Sequence, residues 1–376
     1  MSHVSLWADG AILGATLLLS LFLTPFALAL AVRFGVLDHP GPTKAQREPV
    51  PYLGGTAIVV AFAVVVLAAS AIRPPSSGFP ELVAFMGLGA LLALMGMLDD
   101  IRGGLNPWLR LVLEAGAGAA IVAMGDAAHL AGWPGWLDSV VSVVWIVGVT
   151  NAFNLLDNMD GLSAGIAALS ALTIFAVAYL QHRYLIAALA IALAGCSAGF
   201  LRHNFHPAKI YMGDAGSLFL GFVLSVLLLK LRAQASTRVD VAVILAIPGV
   251  ALFDTALVVC TRVAHRRNPF NGGRDHTSHR LTHLGLSVKQ AVALIYAAGV
   301  VLDGSAILMS RLGPAARFAG IAGLLVAGAA AAFRLVRVPV HHAAHAGARP
   351  EEAIVPTAEP AVSGRRPGIE AMREGG

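Results

Sequence analysis

The sequence predicts an all-α polytopic membrane protein of about eleven transmembrane helices, with the N-terminus outside and the C-terminus cytoplasmic. Three observations predict it. The chain is 57% hydrophobic and only 12% charged, with a mean hydropathy of +0.76, outside the range of soluble domains. Apolar stretches of about 17 to 25 residues, long enough to cross a hydrocarbon core as helix, recur along nearly its whole length. Lysine and arginine are shared unequally between alternate connections, and cationic connections are retained on the cytoplasmic side.

The apolar stretches run at 11–31, 53–72, 82–98, 108–124, 138–156, 162–180, 184–200, 216–231, 240–261, 289–309 and 315–333. The first is too long for the apolar region of a signal peptide and has no basic stretch before it, so it reads as a retained span. DHPGPTKAQREPVPYLGG (38–55) follows it; the third span closes on LDD (98–100), and the fifth runs into NAFNLLDNMDGLSAG (151–165). HNFHPAKIYMGDAGS (203–217) leads into the eighth span and NGGRDHTSHRLTHLG (271–285) precedes the tenth. These five polar clusters are all odd-numbered connections, so they share one side. That side and the C-terminal tail hold 19 Lys and Arg against 7 opposite, which makes it the cytoplasmic side.

A pI near 9.6 is then a consequence of topology and attraction to anionic headgroups, and no nucleic-acid module is expected. Cys196 and Cys260 fall inside apolar spans, which argues for packing rather than a disulfide or zinc. From about residue 338 the chain turns to Pro, Ala, Gly, Glu and Arg without apolar period. Two units are expected: a catalytic membrane domain over 1–337 and a disordered cytoplasmic tail over 338–376.

Polar side chains are costly inside a membrane, and their default explanation is function. Five clusters gathered on one face, opposite short and plain connections, describe an active site. The carboxylates Asp99, Asp100, Asp157, Asp160 and Asp214, beside the amide of Asn154, are hard oxygen donors that suit Mg²⁺, with Mn²⁺ as the alternative, and disfavour zinc. His276 and His279 stand with Arg274 and Arg280, a mixture suited to holding an anion. GDAGS (213–217) opens a helix whose free amides can also face one. Together these parts fit phosphoryl or pyrophosphoryl transfer to an acceptor drawn from the bilayer.

Some readings stay open at this level. Asp214 can serve as a helix cap, and adjacent Asp99 and Asp100 leave the helix in different directions, so one of them is expected to point into the site. Asp254, inside the ninth span, fits either an internal pairing or a functional role. A transporter using intramembrane acids is the competing class, but it calls for polar groups near the midplane rather than stacked at one face.

The motifs PVPYLGG, LDD, NAFNLLDNMDGL, NFHPAKIYMGDAGSLFLG and DHTSHRLTHLGLS, in that order between about residues 36 and 335, resemble those of the polyprenyl-phosphate N-acetylhexosamine-1-phosphate transferase family. DHTSHRL is nearer the GlcNAc-type branch than the phospho-MurNAc-pentapeptide branch, which carries three consecutive histidines there. The resemblance implies transfer of a sugar-1-phosphate from a UDP-sugar to undecaprenyl phosphate with release of UMP, dependent on Mg²⁺. It is the first membrane step of a cell-envelope glycan, in the inner membrane with the site facing the cytoplasm. It also implies roles: Asn154 and Asp214 hold the metal, and Asp160 and Tyr211 grip uracil. Asp99, with Asp100 beside it, meets the lipid phosphate, Asp157 lies by metal and sugar, and His276, His279 and Arg280 clamp the pyrophosphate. Asn204 joins the substrate-binding set, as do Lys44 and Arg47, two candidate anion contacts between which the sequence does not choose.

A phosphate monoester is largely dianionic at neutral pH, so Asp99 reads as a positioning or metal-shell group more than a base. The chain departs from the family pattern at Arg110 and Glu114, where Lys and Gln are common, at Gln46, at Asn158 and Met159, and at Ser278. Oligomeric state is left open, a homodimer among the options.

Overall fold

The computed structural model describes residues 6–40, 48–75, 78–127, 133–233, 241–269 and 272–339. Their order is α1 (Leu6–Phe34), β1 (Leu37–Asp38), β2 (Val50–Pro51), α2 (Gly54–Ile72), α3 (Phe79–Arg102), α4 (Pro107–Ala123), α5 (Gly135–Leu156), α6 (Leu162–Leu180), α7 (Tyr184–Asn204), α8 (Gly213–Ala233), α9 (Val241–Ala246), α10 (Gly249–Ala264), α11 (Thr277–His283), α12 (Val288–Met309) and α13 (Pro314–Val336). Beyond residue 339 the predicted tail lies outside the described residues.

The protein is an all-α, multi-pass membrane protein: among the described residues nine helices are long and apolar enough to span a bilayer. That number differs from the eleven expected for two reasons. The fourth predicted span is a helix of only 17 residues, α4. The ninth predicted span is broken into α9 and α10 on either side of Ile247 and Pro248, because proline has no N–H to give the preceding turn and its ring crowds that turn's carbonyl. Within the predicted ninth connection an additional short helix, α11, forms.

Helix ends follow local chemistry. Asn106 caps α4 by accepting the Trp108 N–H at 2.9 Å, with Pro107 placed where a missing N–H costs nothing. Ser287 and Gln290 form a reciprocal capping box at the start of α12. Helix α3 stops at Gly103, which takes the left-handed conformation (φ 73°) that glycine adopts without strain.

Helix α8 occupies the centre and is almost wholly buried, whereas α13 is exposed along nearly its whole length. Phe219 and Phe222 on α8 pack against Phe62 on α2 (ring centroids 5.5 Å) and Phe85 on α3 (5.9 Å). Close approach at the site end of α8 depends on glycine. A Cβ on Gly96 of α3 would lie 2.4 Å from the Asp214 carbonyl carbon, and one on Gly55 of α2 would lie 2.2 Å from the Gly216 nitrogen. Lipid-facing helices carry their apolar residues outward, as Phe22, Phe26, Phe318 and Leu325 do. Cys196 is buried as expected, while Cys260 faces outward from α10.

Candidate active site

Helices α3, α5 and α7 end, and α4, α6 and α8 begin, at one end of the bundle, so residues far apart in sequence meet there. Asp99 and Asp100 lie in the last turn of α3, Arg110 in the first turn of α4, Asn154 in the last turn of α5 and Asp214 in the first turn of α8. The Arg110 guanidinium ties them together. Its Nη1 donates to Asp99 Oδ2 at 3.0 Å and to Asp214 Oδ2 at 2.8 Å, and its Nη2 donates to Asn154 Oδ1 at 3.1 Å. Asn154 Nδ2 in turn donates to Asp214 Oδ1 at 2.8 Å and to Ser217 Oγ at 2.9 Å. One turn along α4, buried Glu114 accepts from Asn151 Nδ2.

The start of α8 is capped not by Asp214, a reading the sequence left open, but by Asp100, whose two carboxylate oxygens receive the Asp214 N–H at 3.0 and 3.2 Å. Both members of the acidic pair therefore reach the cluster, contrary to the expectation of one. Successive helix residues diverge by about 100°, but the start of α8 lies so close to α3 that Asp99 meets Arg110 while Asp100 meets the α8 backbone.

A second layer is built on the loop after α5. The Asp157 N–H donates to the Asn154 carbonyl at 3.2 Å, and burial, then the charges of Asp214 and Asp160, push its carboxyl up to about 8. Asp160 Oδ2 meets His206 Nδ1 at 2.7 Å and accepts the Ala208 N–H at 3.0 Å. Tyr211 bridges two connections: its N–H donates to the Pro51 carbonyl at 2.8 Å, its carbonyl accepts the Gly54 N–H at 3.0 Å, and its ring lies 6.2 Å from that of Tyr52. Burial, followed by the Asp160 charge, raises the Tyr211 phenol above its ordinary range.

Asn204 is placed differently from its expected substrate-binding role. Its side chain is buried, accepts the Gly161 N–H at 3.0 Å and donates to the Ile210 carbonyl at 3.0 Å. It fastens the Asp160 loop to the Tyr211 segment.

The connection after α10 divides between site and scaffold. Asp254 accepts from His276 Nδ1 at 2.7 Å and from the Thr277 N–H at 2.6 Å, so this intramembrane acid is internally paired. Ser278 Oγ donates to Asn158 Oδ1, which brings α11 against the Asp157 loop and joins two positions that depart from the family pattern. The His279 ring lies 6.2 Å from that of His276. Burial first, then the charges of His276 and Arg274, lower its pKa to about 4. Arg280 corrects the expected clamp. It is 1% exposed, and its guanidinium donates to the carbonyls of Asp275 at 2.8 Å and Leu335 at 2.9 Å, stapling α11 to the end of α13. Lys44 and Arg47 lie outside the described residues.

Among the described residues no three His, Cys, Asp or Glu side chains are gathered closely enough to hold a metal by themselves. Yet oxygens of Asp99, Asp214 and Asn154 all lie within 3.1 Å of nitrogens of one guanidinium, so they converge on a single cationic centre. Two or three hard oxygens completed by substrate phosphate are what Mg²⁺ takes, and the donor set fits that ion. Sequence reasoning did not place Arg110 or His206 in the site. An arginine in the first turn of the helix that follows the Asp-Asp pair was the available signal for the first, and the second lay within the polar cluster 203–217 without being singled out.

The family description "glycosyl transferase family 4" matches residues 82–232. A protein of Bacillus subtilis named "Probable undecaprenyl-phosphate N-acetylglucosaminyl 1-phosphate transferase" is 32% identical over 302 residues, covering 78% of this chain and 83% of its own. The decaprenyl-phosphate N-acetylglucosaminephosphotransferase of Mycolicibacterium smegmatis is 32% identical, covering 77% of this chain and 79% of its own. A phospho-N-acetylmuramoyl-pentapeptide-transferase of Endomicrobium trichonymphae is 34% identical over 120 residues, 31% of either chain.

Proposed function

The chain belongs to glycosyl transferase family 4, the polyprenyl-phosphate N-acetylhexosamine-1-phosphate transferases, and from that premise we propose that it transfers N-acetylhexosamine-1-phosphate from a UDP-sugar to undecaprenyl phosphate. An oxygen of the lipid phosphate attacks the sugar-bearing phosphorus, the bond from that phosphorus to the bridging oxygen breaks, and UMP leaves with the electron pair. The product is a lipid pyrophosphoryl sugar, the first membrane intermediate of an envelope glycan. The observation that carries this reading is the convergence of Asp99, Asp214 and Asn154 on one cationic centre at the ends of membrane helices.

Asn154 and Asp214 would hold Mg²⁺, which when bound neutralises charge on the diphosphate. The work of the chain itself is positional. Asp100 secures the first turn of α8 and so aims Asp214. Asp160 and Tyr211 provide a carboxylate and an aromatic face for the uracil, and Asn204 keeps these two segments together. His279, neutral near pH 7, offers a ring nitrogen to phosphate oxygens without a fixed charge. The acceptor arrives already ionised, so alignment and relief of anion repulsion supply most of the acceleration. The excess of Lys and Arg on the site side, 19 against 7, supports an inner-membrane protein whose site faces the cytoplasm.

Purified protein with undecaprenyl phosphate, Mg²⁺ and a panel of UDP-sugars, including UDP-MurNAc-pentapeptide, tests this. Release of UMP with an N-acetylhexosamine donor, abolished by EDTA, is the expected result. No release with any donor would overturn the reading.

A further inference from the structure

We infer that Arg110 and Glu114 form a switch in which the arginine guanidinium is a resident counter-cation for the metal site, moving to Glu114 when a divalent cation takes its oxygens. This rests on the proposed metal-dependent reaction. It begins from the competition for partners. Arg110 engages Asp99 Oδ2, Asp214 Oδ2 and Asn154 Oδ1 through two nitrogens, at 2.8 to 3.1 Å. Asp214 and Asn154 are the same groups that would ligate the ion, at about 2.0–2.1 Å for Mg²⁺. An ion at that distance would sit only a few ångströms from the guanidinium, where like charges repel strongly outside bulk water. Arginine and ion therefore exclude each other from these oxygens.

The displaced guanidinium has somewhere to go. Glu114 lies four residues further along α4, one turn away on the same face. It is 1% exposed, and its Oε1 is a buried oxygen with no hydrogen-bond partner among the described residues. Its other oxygen is occupied by Asn151. An unpartnered buried carboxylate oxygen is costly, and a charged donor within reach of a side-chain rotation is what satisfies it. Arg110 sits one turn before Glu114 on α4 and keeps 18% of its side chain exposed, so its guanidinium is not sealed into the cluster. The arginine thus keeps Asp99 and Asp214 assembled before the metal nucleotide arrives, and Glu114 removes its charge from the site afterwards. A lysine would gather its donors on one compact ammonium, whereas Arg110 spreads these contacts over two nitrogens of a planar fork.

The test measures Mn²⁺ binding by electron paramagnetic resonance in lipid nanodiscs, without acceptor lipid, for wild type, Arg110→Gln, Arg110→Lys, Glu114→Gln and Asp214→Asn. Size-exclusion profile and melting temperature serve as folding controls. Removing the competitor should tighten Mn²⁺ binding about tenfold in Arg110→Gln, a coupling of ordinary size for two ligands sharing a site. Arg110→Lys should bind Mn²⁺ more tightly than wild type, and it carries the test should Arg110→Gln fail to fold. Glu114→Gln should weaken binding severalfold, because the arginine loses its alternative partner. Equal or weaker binding in the arginine variants, or unchanged binding in Glu114→Gln, overturns the switch. If wild type binds Mn²⁺ and Asp214→Asn does not, the metal reading survives that failure. If no form binds Mn²⁺ even with UDP-N-acetylglucosamine present, the switch and the metal reading fall together.

Discussion

Two charged clusters sit at the ends of the membrane helices, and they differ in what their charges are for. Around α10, α11 and α13, Arg262 holds Asp275 through two bonds at 2.8 and 2.6 Å with both side chains about 4–5% exposed, and Arg280 is consumed by backbone carbonyls. Around α3, α4, α5 and α8, Arg110, Asp99 and Asp214 keep 18%, 10% and 25% of their side chains exposed and share partners among themselves. The first cluster is closed and matched. The second is open and over-supplied with acids, which is the arrangement a cationic ligand needs. Charge density alone does not distinguish a site from a scaffold; accessibility and surplus do.

The difference can be broken in four ways, from the largest expected effect to the smallest. Asp275→Ala leaves Arg262 charged and buried, and should cost about 3–5 kcal/mol of stability, read as a lowered unfolding midpoint; a midpoint within a degree of wild type would show the pair is not structural. Asp214→Asn keeps the shape and should leave the midpoint nearly unchanged while UMP release falls about 10²–10³-fold. Near-normal turnover in that variant would remove Asp214 from the metal set. Arg280→Ala deprives the carbonyls of Asp275, Leu335 and Val338 of a donor and should cost about 1–3 kcal/mol, with little change in KM for the UDP-sugar. A large rise in KM at constant stability would restore Arg280 to the pyrophosphate clamp.

The smallest effect is the pH response of His279. Its pKa in the fold, about 4, lies below the ordinary 6.5, so the unfolded chain takes up its proton first as pH falls. Its contribution to stability should therefore be complete above pH 6.5 and decline as pH drops toward 4. His279→Gln should flatten that acid slope in a series of melting curves, and an unaltered slope would contradict the burial of the ring.

Much of the architecture was legible from residue order. Among the described residues nine of the expected apolar stretches fall on helices long and apolar enough to span a bilayer, and the polar motifs lie in the connections between helices or at their ends. The misreadings have local causes that hydropathy does not register. Pro248 interrupts an apolar run without lowering its hydropathy much, and α11 is a short polar helix inside what reads as a loop. Within the site, Asp99, Asn154 and Asp214 stood out because a carboxylate or amide at the end of an apolar run is conspicuous. Arg280 stood out as a cation within a polar connection, and turned out to be buried and engaged mainly by backbone carbonyls.

Residue order by itself determined that this chain crosses a membrane many times and that hard oxygen donors and cations gather at alternate helix ends. Those properties are sums of local transfer energies and of alternation along the chain, so a linear reading captures them. Which acid caps α8, which arginine bridges the carboxylates and which one staples the scaffold were decided only by tertiary structure. Each of those roles depends on which helix ends meet within about 3 Å, a distance that glycines at 55 and 96 make available and that no single segment encodes.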